Sequence, residues 1–246
     1  VSVLLLIHGF TGSGAAWADL APVFQDEFDV IAVDLPGHGA NPVAASVEGA
    51  AEDLAHRYGS RHPHVLGYSL GARVALRLAI IHPASVRRLI LESPSAGIDD
   101  PAAREERRRA DDQLADDIER DGIEAFVERW ERMPIFASQA QLPEAVKARQ
   151  RAIRLANGPH GLAQSLRFAG QGVMEPLHER LGRISAATLV IAGQLDPARG
   201  RAELVAAGIP SARLAVIDGA GHTPHLERPD AFRRLALEFL QEDAAA

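Results

Sequence analysis

Over the first hundred positions, short runs of aliphatic residues alternate with stretches whose apolar positions recur every three or four. Residues 3–7 and 30–33 are unbroken apolar runs of strand length, the pattern of strands covered on both faces. Residues 70–80 place Val74, Ala75, Leu78 and Ala79 on one side of a helix, and residues 86–91 form the next strand-like run. Strand, helix, strand in this order predicts a parallel sheet.

The pattern changes over residues 98–182, which are dense in Arg, Glu and Asp, poor in Val and Ile runs, and helical in period. Inside an α/β chain such a block predicts a helical insertion, a cap over one end of the sheet. The first texture then returns. Residues 188–191 and 214–217 are predicted strands, and 226–240 a closing amphipathic helix. Residues 1–246 are thus expected to form one domain carrying a cap at 98–182. The alanines at 244–246 are expected to fray. The chain opens directly on a strand, so an N-terminal piece with earlier strands is expected to be missing.

Composition narrows the function. A formal net charge of −7 argues against nonspecific binding to nucleic acid or anionic membrane. No apolar run reaches the roughly 18 residues a spanning helix needs, and the opening run lacks the basic start and cleavage site of a signal peptide. With no Cys, thiol catalysis, disulfides and cysteine metal sites are excluded, and a cytoplasmic location is expected.

The chemistry begins at Gly67-Tyr68-Ser69-Leu70-Gly71, which fits G-x-S-x-G between a strand end at 64–66 and the helix that follows Ser69. His8-Gly9-Phe10 ends the first strand and precedes a Gly-rich turn. In a nucleophile-elbow arrangement the backbone N–H groups of Phe10 and Leu70 would supply an oxyanion hole. A dinucleotide fingerprint is the other reading of Gly12-Ser13-Gly14, but Trp17 stands where the third glycine is needed. Asp196 follows the strand at 188–191, and His222 follows the strand at 214–217. Ser69, Asp196 and His222 therefore appear in the chain order of a Ser-acid-His triad, at strand ends where ligands bind in open α/β sheets. Asp34, Asp218, His8, His38 and His225 lack that combination of order and position. The histidine pairs and acidic doublets lack metal-site spacing, so neither metal nor cofactor is expected.

The arginines carry the next signal. Arg73 lies one helical turn after Ser69 and can face the same pocket. Arg107, Asp111, Leu114 and Ile118 form one helical stripe, so Arg107 shares a buried face. Arg154 is flanked by Ile153 and Leu155. A buried guanidinium needs an anionic partner, from the protein or from a ligand. Trp130, near the end of the next cap helix, is either plain core or pocket wall.

His8-Gly9-Phe10-Thr11-Gly12, Asp34-Leu35-Pro36-Gly37-His38-Gly39 and the elbow resemble the α/β-hydrolase superfamily. The stretches at 67–73, 91–97, 104–112, 130–136 and 154–172 resemble one of its families, the 2-succinyl-6-hydroxy-2,4-cyclohexadiene-1-carboxylate (SHCHC) synthases of menaquinone biosynthesis. That resemblance spans nearly the whole chain. It implies an α/β-hydrolase fold with a mostly parallel sheet and a cap inserted after the sixth-strand equivalent. It also implies a cofactor-free lyase whose triad removes a ring proton and expels pyruvate from a small tricarboxylate. By matching motif position it assigns Tyr68, Arg73, Arg107, Trp130 and Arg154 to substrate binding, with Arg151 one turn away as the rival for the third arginine. Pro197-Ala198-Arg199 departs from the Lys or aromatic residue that family members often have just after the acid. Two other readings remain at this stage: an ester or thioester hydrolase acting through an acyl-enzyme, and a non-catalytic receptor for a small acid.

Overall fold

In the computed structural model, which describes residues 1–242, six parallel strands form one sheet in the order β2-β1-β3-β4-β5-β6. The strands are β1 (Ser2–Ile7), β2 (Phe28–Val33), β3 (His64–Tyr68), β4 (Arg88–Glu92), β5 (Ala187–Gly193) and β6 (Ala212–Ile217). The helices are α1 (Ala21–Phe24), α2 (Val47–Tyr58), α3 (Leu70–Ile81), α4 (Pro101–Glu131), α5 (Glu144–Leu155), α6 (Pro159–Ala169), α7 (Arg199–Gly208), α8 (Pro224–Glu227) and α9 (Pro229–Gln241). The alanine tail at 244–246 lies outside the described residues.

The unbroken apolar run of β1 has a direct cause in packing. Val3, Leu5 and Ile7 point into a core built with α2, α3 and α7, whereas Leu4 and Leu6 point into a second core with Trp17, Phe24, Phe232 and Phe239. Helices therefore cover both faces of the sheet, and alternation along the strand gives two apolar sides instead of one. β1 pairs with β2 on one side and β3 on the other, so the chain reverses its direction of winding between β1 and β3. The loops leaving these two strands diverge there and open a crevice at the strands' C-terminal ends.

α4, α5 and α6 fall between β4 and β5 and carry a third apolar cluster: Ala115, Ile118, Phe126, Val127, Leu162, Ala163 and Leu166. The Asp100 carboxylate accepts the Ala103 N–H at 2.7 Å to cap α4, and Pro101 occupies the first turn, where no N–H is needed. Within α4, Gly122 adopts φ 83° and ψ 173°, so the element is two helical arms meeting at one residue. α6 rests on the loop after β2 through a glycine-to-glycine contact: a Cβ on Gly161 would strike the Gly37 backbone.

The expected closing helix is divided. Arg228 takes φ −140° and ψ 61° between α8 and α9. Pro229 explains the break, because it lacks an N–H and disfavours helical backbone in the residue before it.

Candidate active site

Ser69 follows β3 and precedes α3 with φ 51° and ψ −105°, a conformation disfavoured for a side chain with Cβ. The turn closes only because its flanks are bare. A Cβ on Gly67 would overlap the Gly71 carbonyl, and one on Gly71 would overlap the Ile7 carbonyl. The Ser69 N–H donates to the Glu92 carbonyl at 2.9 Å and fixes the turn to β4.

Asp196 and His222 leave the ends of β5 and β6. The His222 Nδ1–H donates to Asp196 Oδ2 at 2.9 Å, and the Ser69 hydroxyl lies 3.3 Å from His222 Nε2. Burial alone would raise the Asp196 carboxyl. The His222 hydrogen bond and charge, the Ala198 N–H and the Ser93 hydroxyl outweigh it and hold the group below its ordinary value. Asp196 is therefore an anion that fixes the imidazole tautomer. Ser93, at φ 48°, also places its Oγ 2.9 Å from the His222 carbonyl, so its single hydroxyl proton serves one acceptor or the other. Sequence reasoning missed this brace, and nothing in a lone Ser after a strand marks it.

A cavity of about 310 Å3 sits over Ser69 and His222. Phe10 and Leu70 line it, and neither backbone N–H takes an acceptor among the described residues. The Leu70 N–H also belongs to the first turn of α3, at the positive end of that helix. Tyr68 forms part of the wall, with its ring 5.6 Å from that of His222, and burial pushes its hydroxyl well above the ordinary value. Trp130 meets Phe10 edge-on at 5.3 Å, so here it is pocket wall and packs against the third apolar cluster at once.

The arginines divide. Arg73 is buried, donates to the Ala169 carbonyl at 2.7 Å and makes no ion pair among the described residues. Burial and the neighbouring Arg107 charge push its guanidinium down to about 10. Arg107 reaches the same cavity from α4, with its Nε 2.8 Å from Asp111 Oδ1. The other Asp111 oxygen is buried without a hydrogen-bond partner among the described residues. Arg154 does not line this cavity. Its side chain, 10% exposed, donates to Glu131 at 2.9 Å and faces a small hollow of about 40 Å3 behind Tyr68. Arg151 binds the other oxygen of Glu131 at 2.6 Å. In place of Arg154 the cavity holds Arg201, from the first turn of α7, which the sequence reading passed over.

No group of three or more metal-ligating side chains occurs among the described residues, and no described helix is long and apolar enough to cross a membrane. A larger open hollow of about 820 Å3, beside Asp34, Asp53 and Arg57, contains none of the residues above. The cavity over Ser69 therefore combines a hydroxyl beside an oriented imidazole and two free backbone donors with an excess of positive charge.

Residues 2–229 match the α/β-hydrolase fold family. A Bacillus subtilis (strain 168) protein assigned as an SHCHC synthase is 37% identical, the alignment covering 96% of this chain and 89% of that one. The structure of MenH from S. aureus superposes with a TM-score of 0.94 at 36% identity, covering 99% of this chain and 94% of the other. A thermophilic esterase from Thermogutta terrifontis, solved with malate bound, superposes with a TM-score of 0.85 at 30% identity, covering 98% and 90%.

Proposed function

The chain belongs to the α/β-hydrolase fold family, and from that premise we propose that it is a carbon–oxygen lyase of menaquinone biosynthesis, an SHCHC synthase. The substrate is 2-succinyl-5-enolpyruvyl-6-hydroxy-3-cyclohexene-1-carboxylate. A base removes the ring proton beside the succinyl ketone. The ring double bond shifts into conjugation, the bond from the ring to the enolpyruvyl oxygen breaks with its electron pair going to oxygen, and the released enolate takes up a proton at its methylene carbon to become pyruvate.

Ser69, its proton drawn by His222, is the base in this reading, and Asp196 orients His222. The charge that builds on the ketone oxygen meets the N–H groups of Phe10 and Leu70. Arg73 and Arg107 hold carboxylates, and Tyr68 and Trp130 shape the wall. Arg154 contributes from behind Tyr68, where its charge opposes the upward shift of that hydroxyl. Residues 98–182 serve as a cap that carries Arg107 and Trp130. The enzyme works in the cytoplasm without metal or organic cofactor.

One observation carries the choice of a small polyanion over a neutral ester. The cavity over Ser69 is lined by three guanidiniums, those of Arg73, Arg107 and Arg201, against the single carboxylate of Asp111. An unpaired charge in a partly desolvated wall is costly unless a ligand of opposite sign joins it. The esterase neighbour keeps acyl transfer in view, because a triad and an oxyanion hole serve either chemistry. A lactate-dehydrogenase-coupled assay in excess chelator separates the two. Pyruvate and a conjugated diene in equal amounts are expected, and brisk cleavage of nitrophenyl esters with no pyruvate would give the site to the hydrolase reading.

A further inference from the structure

We propose that Arg201 is a carboxylate-binding residue of the cavity over Ser69, receiving one of three substrate carboxylates beside those held by Arg73 and Arg107. The assignment rests on the reading of the substrate as a tricarboxylate. Its structural basis is separate and starts with the helix that carries the residue. Ala202 and Val205 of α7 are buried in the core against the sheet. They fix the rotation of the helix and leave Arg201 on the side where Ala198, Gln171, Arg107 and His222 border the cavity.

Arg201 makes no ion pair among the described residues, and its guanidinium makes one hydrogen bond there, a 3.3 Å contact from Nη1 to the Gln171 side-chain oxygen. The nearby carboxylates are committed elsewhere. Glu203 pairs with Arg199 at 2.9 Å, Asp196 with His222, and Asp111 with Arg107. Arg201 is exposed on its outer side, but partial burial and the Arg107 charge lower its guanidinium against the opposing pull of Asp196, and Arg201 in turn helps to lower Arg73. Three cations thus repel one another around a space whose lining holds one carboxylate, with the Asp196 anion also acting on Arg201. Arg154 is the opposite case, because it has an internal anionic partner in Glu131, which it shares with Arg151.

The test uses Arg201→Gln, Arg201→Lys and, as a control on the same helix, Arg199→Gln. Each is checked for an unchanged Tm, then compared with wild type in pyruvate release and in calorimetric binding of propane-1,2,3-tricarboxylate. In Arg201→Gln the KM is expected to rise about tenfold, between the scale for an exposed ion pair and that for a desolvated charge partner, with kcat changed about threefold or less. The tricarboxylate Kd should weaken by about tenfold or more. Arg201→Lys should recover most of both losses, and Arg199→Gln should behave as wild type. A KM and Kd in Arg201→Gln within about twofold of wild type would overturn the proposal, as would equal losses in Arg199→Gln. If wild type releases no pyruvate but tricarboxylate binding still depends on Arg201, the lyase reading fails while the carboxylate site stands.

Discussion

Two histidines three residues apart are each held by a buried carboxylate, and only one of them faces the cavity over Ser69. His222 leans on Asp196 at 2.9 Å and turns its other nitrogen toward Ser69 and the cavity. His225 has both Glu92 oxygens 2.8 Å from Nδ1, and its backbone N–H donates to the same carboxylate at 2.9 Å. Its ring is enclosed by Trp17, Tyr68 and Phe232. An imidazole oriented by an acid is therefore a general base only where its second nitrogen reaches a hydroxyl beside open space. Elsewhere the same pair is a structural tie between the last loop and the end of β4.

Removing groups from the two pairs should separate them. Ser69→Ala and His222→Ala are expected to lower kcat for pyruvate release roughly 10^4-fold or more with the Tm nearly unchanged. Asp196→Asn should cost less, because an anionic substrate can hold the imidazole in its place. Steady-state kinetics on the three variants gives the order, and near-wild-type turnover by Ser69→Ala would remove Ser69 as the base. His225→Ala should reverse the pattern. Stranding Glu92 without its partner is expected to cost about 3–5 kcal/mol of stability by denaturant unfolding, with much of the turnover per folded molecule retained. A large kcat loss at full stability would erase the distinction between the pairs.

A third pair of rings sharpens the comparison at lower amplitude. His8 and His38 sit 5.0 Å apart with Asp34 nearby. Burial pushes His8 down to about 4, and burial together with the His8 charge pushes His38 down to about 3. Below the ordinary value of 6.5 the unfolded chain takes up protons at these positions and the folded chain does not, so stability falls with pH from about 6.5 toward 4. The slope is up to about 1.4 kcal/mol per pH unit for each ring. In His38→Asn, unfolding free energies measured between pH 4 and 7 should fall less steeply than in wild type, and an unchanged slope would mean that His38 titrates normally.

Much of this site was legible in the sequence because its signals are local. Bare glycines around Ser69 announce a strained turn, and Asp196 and His222 each follow an apolar run that could only be a strand. The chain order of the three then left little freedom. Burial was legible as well, but the identity of the partner was not. Arg154, between Ile153 and Leu155, is indeed enclosed, yet its anion is Glu131, 23 residues earlier on another helix. Arg201 looks like any polar residue of a short helix, and only the docking of α7 against the sheet turns it to the cavity. The split of the closing helix was a missed local cue, because Pro229 was visible in the middle of the apolar period.

The bend at Gly122 sets a length. A straight helix of the 31 residues of α4 would be a rod of about 46 Å. On it Arg107 and Trp130, 23 positions apart, would be separated by about 35 Å along the axis. Both line one space of about 310 Å3. A single left-handed residue thus works as an elbow that folds a ruler back on itself, bringing marks from two distant parts of the scale to the same object. A β-branched residue at that joint would have to hold φ 83° under strain of about 1–3 kcal/mol, working against the meeting of the charge and the indole.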